Sequence, residues 1–197
     1  MIVASVLALL ASSSLELGGA VGIGRLVGEP SVAQGRDGAV VDPLRNLWTG
    51  TVWMGYQWRR GHLLAMRYDH SQGSGSLANQ PDLGEALEET LTLEVFGMEY
   101  VSLHTKGTFE VRLGGGLGYA KAVDRLQTRA TSLRARGEGM ALWMRSGIGI
   151  PVTDKVRWHL EGVGQWSSFA AMNAEGLEPY ETDFPALRLE TGLSLGL

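Results

Sequence analysis

The feature that most constrains this chain is an alternation of apolar and polar side chains with a period of two, recurring in eight segments. In 47–59, Trp48, Gly50, Val52, Met54, Tyr56 and Trp58 share one face, and Thr49, Thr51, Trp53, Gly55, Gln57 and Arg59 the other. In 107–121, Phe109, Val111, Leu113, Gly115, Leu117 and Tyr119 alternate with Thr108, Glu110, Arg112, Gly114, Gly116, Gly118 and Ala120. In 186–197, Leu187, Leu189, Thr191, Leu193, Leu195 and Leu197 alternate with Arg188, Glu190, Gly192, Ser194 and Gly196. Successive strand side chains point to opposite faces, so this period specifies strands with two unlike faces. The pattern predicts strands near 15–28, 47–59, 63–69, 90–103, 107–121, 138–150, 156–166 and 186–197. In the fourth, Leu91, Leu93 and Val95 share a face before Phe96, Met98 and Tyr100 take over the other. A bulge near Gly97 would reconcile the halves.

The connections alternate in length. Short turns fall at 60–62, 104–106 and 151–155, and long polar loops at 29–46, 70–89, 122–137 and 167–185. A compact soluble domain rarely carries four such loops. A barrel in lipid has short turns at one end and long loops at the other, and an even strand number leaves both termini at the short-turn end. No apolar run reaches the length of about 18 residues that a membrane helix needs. Cysteine is absent, which fits an exported chain without disulfides and many cytosolic chains equally. A net charge of −4 argues against a nucleic-acid partner.

Alternation alone does not say which face is inside. Aromatic spacing does bear on it. Trp48 and Trp58 lie ten residues apart, as do Phe109 and Tyr119, while Trp158 and Trp166 lie eight apart. Ten tilted strand residues rise roughly 23 Å, close to an apolar band of about 25 Å between interfacial aromatic girdles. The expected girdle is Trp48, Tyr56, Trp58, Phe109, Tyr119, Trp158 and Trp166. The opposite face is rich in small residues and nearly balanced in charge. Buried charges persist when paired, so an interior ion-pair network is expected from Glu16, Arg67, Glu94, Glu110, Arg112, Arg145, Arg157, His159, Glu161, Arg188 and Glu190. The fold class is therefore all-β: an eight-stranded antiparallel up-and-down transmembrane barrel with its apolar face outward.

The end of the last strand, with Leu193, Leu195 and Leu197, resembles the C-terminal assembly signal of bacterial outer-membrane barrels, which usually closes on Phe. The segment 147–161 reads as strand, Thr-Asp turn, strand, and resembles small barrels of the OmpA and OmpX kind. The start, an apolar stretch followed by Ser12, Ser13 and Ser14, resembles a secretory signal without its basic region. The resemblance implies a signal over 1–14, a barrel domain over 15–197 and a place in the bacterial outer membrane. It implies outer-membrane lipid, lipopolysaccharide and the barrel assembly machinery as partners, for a chain acting as a monomer.

Candidate chemistry is sparse. His70 and Ser71 are adjacent at the third strand's end, where outer-membrane lipid hydrolases carry a His and a Ser two residues apart. Neighbouring strand residues face opposite ways, so only His70 and Ser74 could meet, through a loop. His159 sits between Arg157 and Glu161 as a proton-sensitive group or a member of the ionic network. No metal-ligand spacing and no cofactor motif occurs, so neither is expected. The third loop is basic, through Arg125, Arg129, Arg134 and Arg136. The second and fourth are acidic, through Asp82, Glu85, Glu88, Glu89, Glu175, Glu178, Glu181 and Asp183. Contact with lipopolysaccharide phosphates and pairing between loops both remain open. The reading is a non-enzymatic barrel with a plugged polar interior, acting as a structural, surface-interaction or adhesion protein through its loops. The alternatives are a lipid hydrolase using His70, a narrow pore, and a soluble ligand-binding barrel.

Overall fold

A computed structural model describes residues 14–27, 46–58, 61–77, 87–127, 132–176 and 178–197. Eight strands run β1 Ser14–Leu26, β2 Asn46–Gln57, β3 His62–Leu77, β4 Leu87–Lys106, β5 Phe109–Gln127, β6 Ser132–Pro151, β7 Val156–Ala174 and β8 Tyr180–Gly196. Each pairs antiparallel with the next, and β1 pairs with β8 to close the barrel. The seam holds to the last residue, where the Leu197 amide donates to the Leu15 carbonyl at 2.8 Å. The expected signal lies outside the described residues except for Ser14, which begins β1. At the short-turn end, Gly61 (φ 121°) and Gly107 (φ 66°) adopt the left-handed backbone that tight turns favour.

A belt of apolar side chains faces outward. Trp48, Met140, Leu142 and Met144 are each more than half exposed, and Val21, Val52, Leu117, Leu187 and Leu193 lie in the same belt. Of the expected girdle, Trp48, Tyr119 and Trp166 lie toward the loop end, and Tyr56, Trp58, Phe109 and Trp158 toward the short-turn end. Tyr68, Phe96 and Tyr100 also face outward. Trp58 stacks on His62 and tilts against Tyr100, with ring centroids 5.9 and 6.1 Å away.

Toward the loop end the pattern inverts. Outward positions become polar: Arg25, His70, Gln72, Glu88, Glu94, Lys121, Arg125, Arg134, Arg136 and Asp183 are all outside the buried core. Inward positions become apolar: Leu26, Leu47, Leu91, Leu93, Val95, Phe169, Met172 and Phe184 pack as one cluster. The lower wall is a membrane barrel, and the upper wall is a soluble-type barrel standing on it.

This inversion corrects two expectations. The face swap between Val95 and Phe96 needs no bulge at Gly97, because β4 pairs without a register shift against both β3 and β5. Consecutive residues simply point opposite ways, Val95 inward into the apolar layer and Phe96 outward. The bulge lies instead on β7, where the register to β6 and to β8 shifts around Ala170 and Ala171. The long loops are also shorter than expected. Much of 70–77, 122–127, 132–137 and 167–174 continues the strands, which reach 20 residues in β4 and β6. About 10 residues suffice to cross a bilayer. The surplus raises the strand ends on the order of 20 Å beyond the apolar belt.

Two interior indoles fix where the wall must be thin. A Cβ on Gly18 would overlap the ring of Trp53, and one on Gly116 the ring of Trp143, whereas Gly50 on the lipid face has open space. Overpacking a filled core costs typically about 1–3 kcal/mol. Gly116→Ala is expected to lower the unfolding free energy, read by urea titration of the protein refolded in lipid vesicles, by that amount. Gly50→Ala should leave it within about 0.5 kcal/mol; equal losses at both sites would contradict the slot.

Candidate functional site

Inward-facing positions on every strand meet in one polar lattice across the lower bore. Arg112 lies 3.0 Å from each of Glu16, Glu110 and Glu161. Arg145 bridges Glu161 at 3.1 Å and Glu99 at 2.9 Å. Glu99 approaches Arg67 at 3.7 Å, and Arg67 holds Asp69 and Glu190 at 2.8 Å each. Arg188 closes the chain, 2.9 Å from Asp69 and 3.2 Å from Glu190. β2 adds no charge but contributes two donors. Thr51 donates to Asp69 at 2.9 Å, and the Trp53 indole to Glu16 at 3.1 Å. Trp143 donates to Glu99 at 3.2 Å. These side chains are almost wholly buried. Their charge is tolerable only because each guanidinium meets two or more carboxylates.

The structure brings Glu16, Arg67, Glu110, Arg112, Arg145, Glu161, Arg188 and Glu190 into this lattice. His159 borders it, with Nε2 2.6 Å from the Ser194 hydroxyl. Arg157 stands at its lower edge, a third exposed and 3.8 Å from Glu110. Glu94 does not join it. It faces outward near the loop end, 3.1 Å from the Tyr68 hydroxyl and 3.6 Å from His70. Leu91, Leu93 and Val95 face inward in this upper region, and that turns Glu94, of the opposite parity, outward. Glu99 joins the lattice although it is not among the expected residues; its place between the outward Met98 and Tyr100 is the signal that could have found it. Asp69 lay at the expected strand's last residue, and only its spacing of two from Arg67 could have signalled it.

Above the lattice sits the apolar layer, with Phe169 edge-on to Phe184 at 5.6 Å. Leu63, Val101 and Leu103 form a smaller apolar cluster with Trp53 near the short turns. Near the loop end Glu89 and Asp124 are both buried, close enough to the Tyr180 phenol for their charges to act on it. Burial pushes the Glu89 carboxyl up to about 7, helped by the charge of Asp124. Burial likewise raises Asp124 to about 6. The Tyr180 phenol is pushed up to about 12 by burial, then by Asp124 and Glu89.

On the outer wall, His70 points outward and Ser71 inward, where Arg188 donates to its hydroxyl at 3.2 Å. Arg125, Arg134 and Arg136 stand on β5 and β6 rather than in a loop. Glu88 and Glu89 are on β4, and Glu181 and Asp183 on β8. Asp82, Glu85 and Arg129 lie outside the described residues. Leu193 and Leu195 face outward on β8 beside the seam, followed by Leu197. Among the described residues no cluster of three or more His, Cys, Asp or Glu is arranged to hold a metal.

The buried acids give the upper wall a pH dependence of known sign. Their folded values lie above those of an unfolded chain, so the folded state binds more protons between about pH 4 and 7. Stability is full below that window and falls as pH rises through it. Asp124→Asn should therefore raise the unfolding midpoint at pH 8 by the equivalent of about 1–2 kcal/mol and change it little at pH 4. An equal effect at both pH values would rule out the buried acid as its source.

The sequence matches no protein-family profile and no curated protein. Solved structures share its architecture. Neisserial surface protein A superposes with a TM-score of 0.61 at 11% identity, over 93% of this chain and 97% of that one. A major outer membrane protein from Thermus thermophilus gives 0.57 at 11%, over 93% and 99%. Ail, the attachment invasion locus protein of Yersinia pestis, gives 0.51 at 10%, over 93% and 97%. At such identities the likeness is one of fold. The chain is an eight-stranded up-and-down barrel of the bacterial outer-membrane type, with its apolar belt turned to lipid.

Proposed function

We propose that this protein is a sealed outer-membrane barrel that works at the cell surface, as a structural anchor and interaction surface, and is neither a pore nor an enzyme. The observation that carries this reading is the filling of the bore. An ionic lattice crosses it on residues of β1 and β3 to β8, and an apolar layer caps that lattice. An ion moving through would have to separate buried pairs, each step costing several kcal/mol. The loop end, facing outward, carries the polar wall on which partners would be met. Closure pairs every strand edge, which supports a monomer, and the outward leucines of β8 support recognition by the assembly machinery.

The hydrolase alternative has little support. His70 and Ser71 occupy opposite faces, and Ser74 stands about 13 Å along the strand from His70, too far to be deprotonated by it. The partner of His70 is Glu94, which orients an imidazole but is no nucleophile for this chemistry.

In planar bilayers the refolded protein should give no large, steady conductance. Arg112→Ala would leave three carboxylates facing a new gap. It should lower stability by about 3–5 kcal/mol and introduce cation-selective flicker. A stable open channel in the wild type would overturn the sealed reading. Replacing His70 with Ala should leave the lipid A mass spectrum and phospholipid release of the host unchanged. A shift in either would restore the hydrolase.

A further inference from the structure

Every arginine of the lower bore meets carboxylates; among the described residues Arg25, Arg125, Arg134 and Arg136 on the outer wall meet none, and the last three stand together on β5 and β6. Arg125 and Arg134 are direct cross-strand partners of β5 and β6, and Arg136 follows on the same outward face. Among the described residues no carboxylate pairs with any of them. Like charges placed directly opposite across a strand pair repel. The Arg134 guanidinium is accordingly held below its usual value, by desolvation and by the charges of Arg136 and Arg125. Lys121 stands one step nearer the apolar belt, 3.9 Å from Glu138 and 5.6 Å from the Tyr119 ring centre.

These cations have a defined height and a seat. Tyr119 and Met140 mark the top of the apolar belt on β5 and β6, and Lys121 to Arg125 lie about 5–14 Å above. Beside them, next to the β7 bulge, lies an outer groove of about 580 Å³ between Lys121, Arg136, Glu138, Ala171 and Asn173. A ligand that suits this wall has an apolar body against Leu117 and Leu142 and several anionic oxygens directly above it. Guanidinium forks bind phosphate oxygens in pairs, and an anion between opposed arginines removes their repulsion.

The geometry points to a binding site for the phosphates of an outer-leaflet phosphorylated glycolipid on the outer wall of β5 and β6, built from Arg125, Arg134, Arg136 and Lys121. It rests on the reading that the loop end faces outward. The lipid's acyl chains lie along the apolar belt below, its phosphates between the guanidiniums, and its sugars over the groove.

The test uses the full folded chain in a neutral detergent, titrated with bis-phosphorylated lipid A and followed by native mass spectrometry. Wild type should retain lipid A at least about tenfold more tightly than the triple variant Arg125→Gln, Arg134→Gln, Arg136→Gln. Dephosphorylated lipid A, with the same chains, should bind wild type as weakly as lipid A binds that variant. The triple arginine-to-lysine variant should keep most of the affinity, and Arg25→Gln, at the same rim on β1, should keep all of it. Heat-shifted gel migration identical to wild type shows that each variant is folded. Equal retention by wild type and the glutamine variant would overturn the site, and so would equal binding of dephosphorylated lipid A. Displacement by inorganic phosphate or a heparin oligosaccharide at the concentration of lipid A would replace the lipid with a soluble anion. A conducting barrel would leave this result intact and bear only on the sealed reading.

Discussion

Hydrocarbon offers a backbone amide nothing to bond to, so a strand in lipid must be paired along both edges. Everything else here follows from meeting that condition with eight strands. The seam between β1 and β8, running from Glu16 opposite Gly196 to Leu26 opposite Ala186, removes the last free edges. Closing so small a ring leaves a bore just wide enough for side chains to fill. Those side chains meet one another instead of water. Polar ones must then be mutually satisfying, and the four arginines of the lattice each touch at least two carboxylates for that reason.

The wall is built from two alternations in series with opposite sense, and that governs what the sequence revealed. Where only one sense applied, as in Trp48–Trp58, Phe109–Tyr119 and Leu187–Leu197, strand, face and girdle were legible from parity alone. Where the sense changed, parity misled. Val95 and Phe96 looked like a broken strand but are an intact one crossing from the lipid level to the level above it. Segments such as 70–75 and 134–137 read as loops because their outward residues are polar. Their inward residues complete the barrel. A residue's burial there depends on its height relative to the membrane, which a window of a few residues does not contain.

The lattice was legible in kind but not in membership. Alternate Arg and Glu residues announced that the inner face carries balanced charge. Which carboxylate meets which arginine depends on contacts between strands far apart in the chain, such as Arg67 with Glu190 and Arg112 with Glu16. The glycines behave similarly. Gly116 reads as a crowded position from its neighbours, yet only the closed ring shows that it and Gly18 are each the slot for an indole arriving from a neighbouring strand.

The raised strand ends change what a partner meets at the surface. A flexible loop of equal reach would lose conformational freedom on every encounter. Here side chains on the upper wall, such as Arg134 and Glu88, are carried on hydrogen-bonded strands whose inward residues are packed. The ordering cost is met when the barrel folds, not when it binds. The wall works as a pedestal: it fixes the spacing of its charges clear of the lipid, so selectivity can rest on distance and angle.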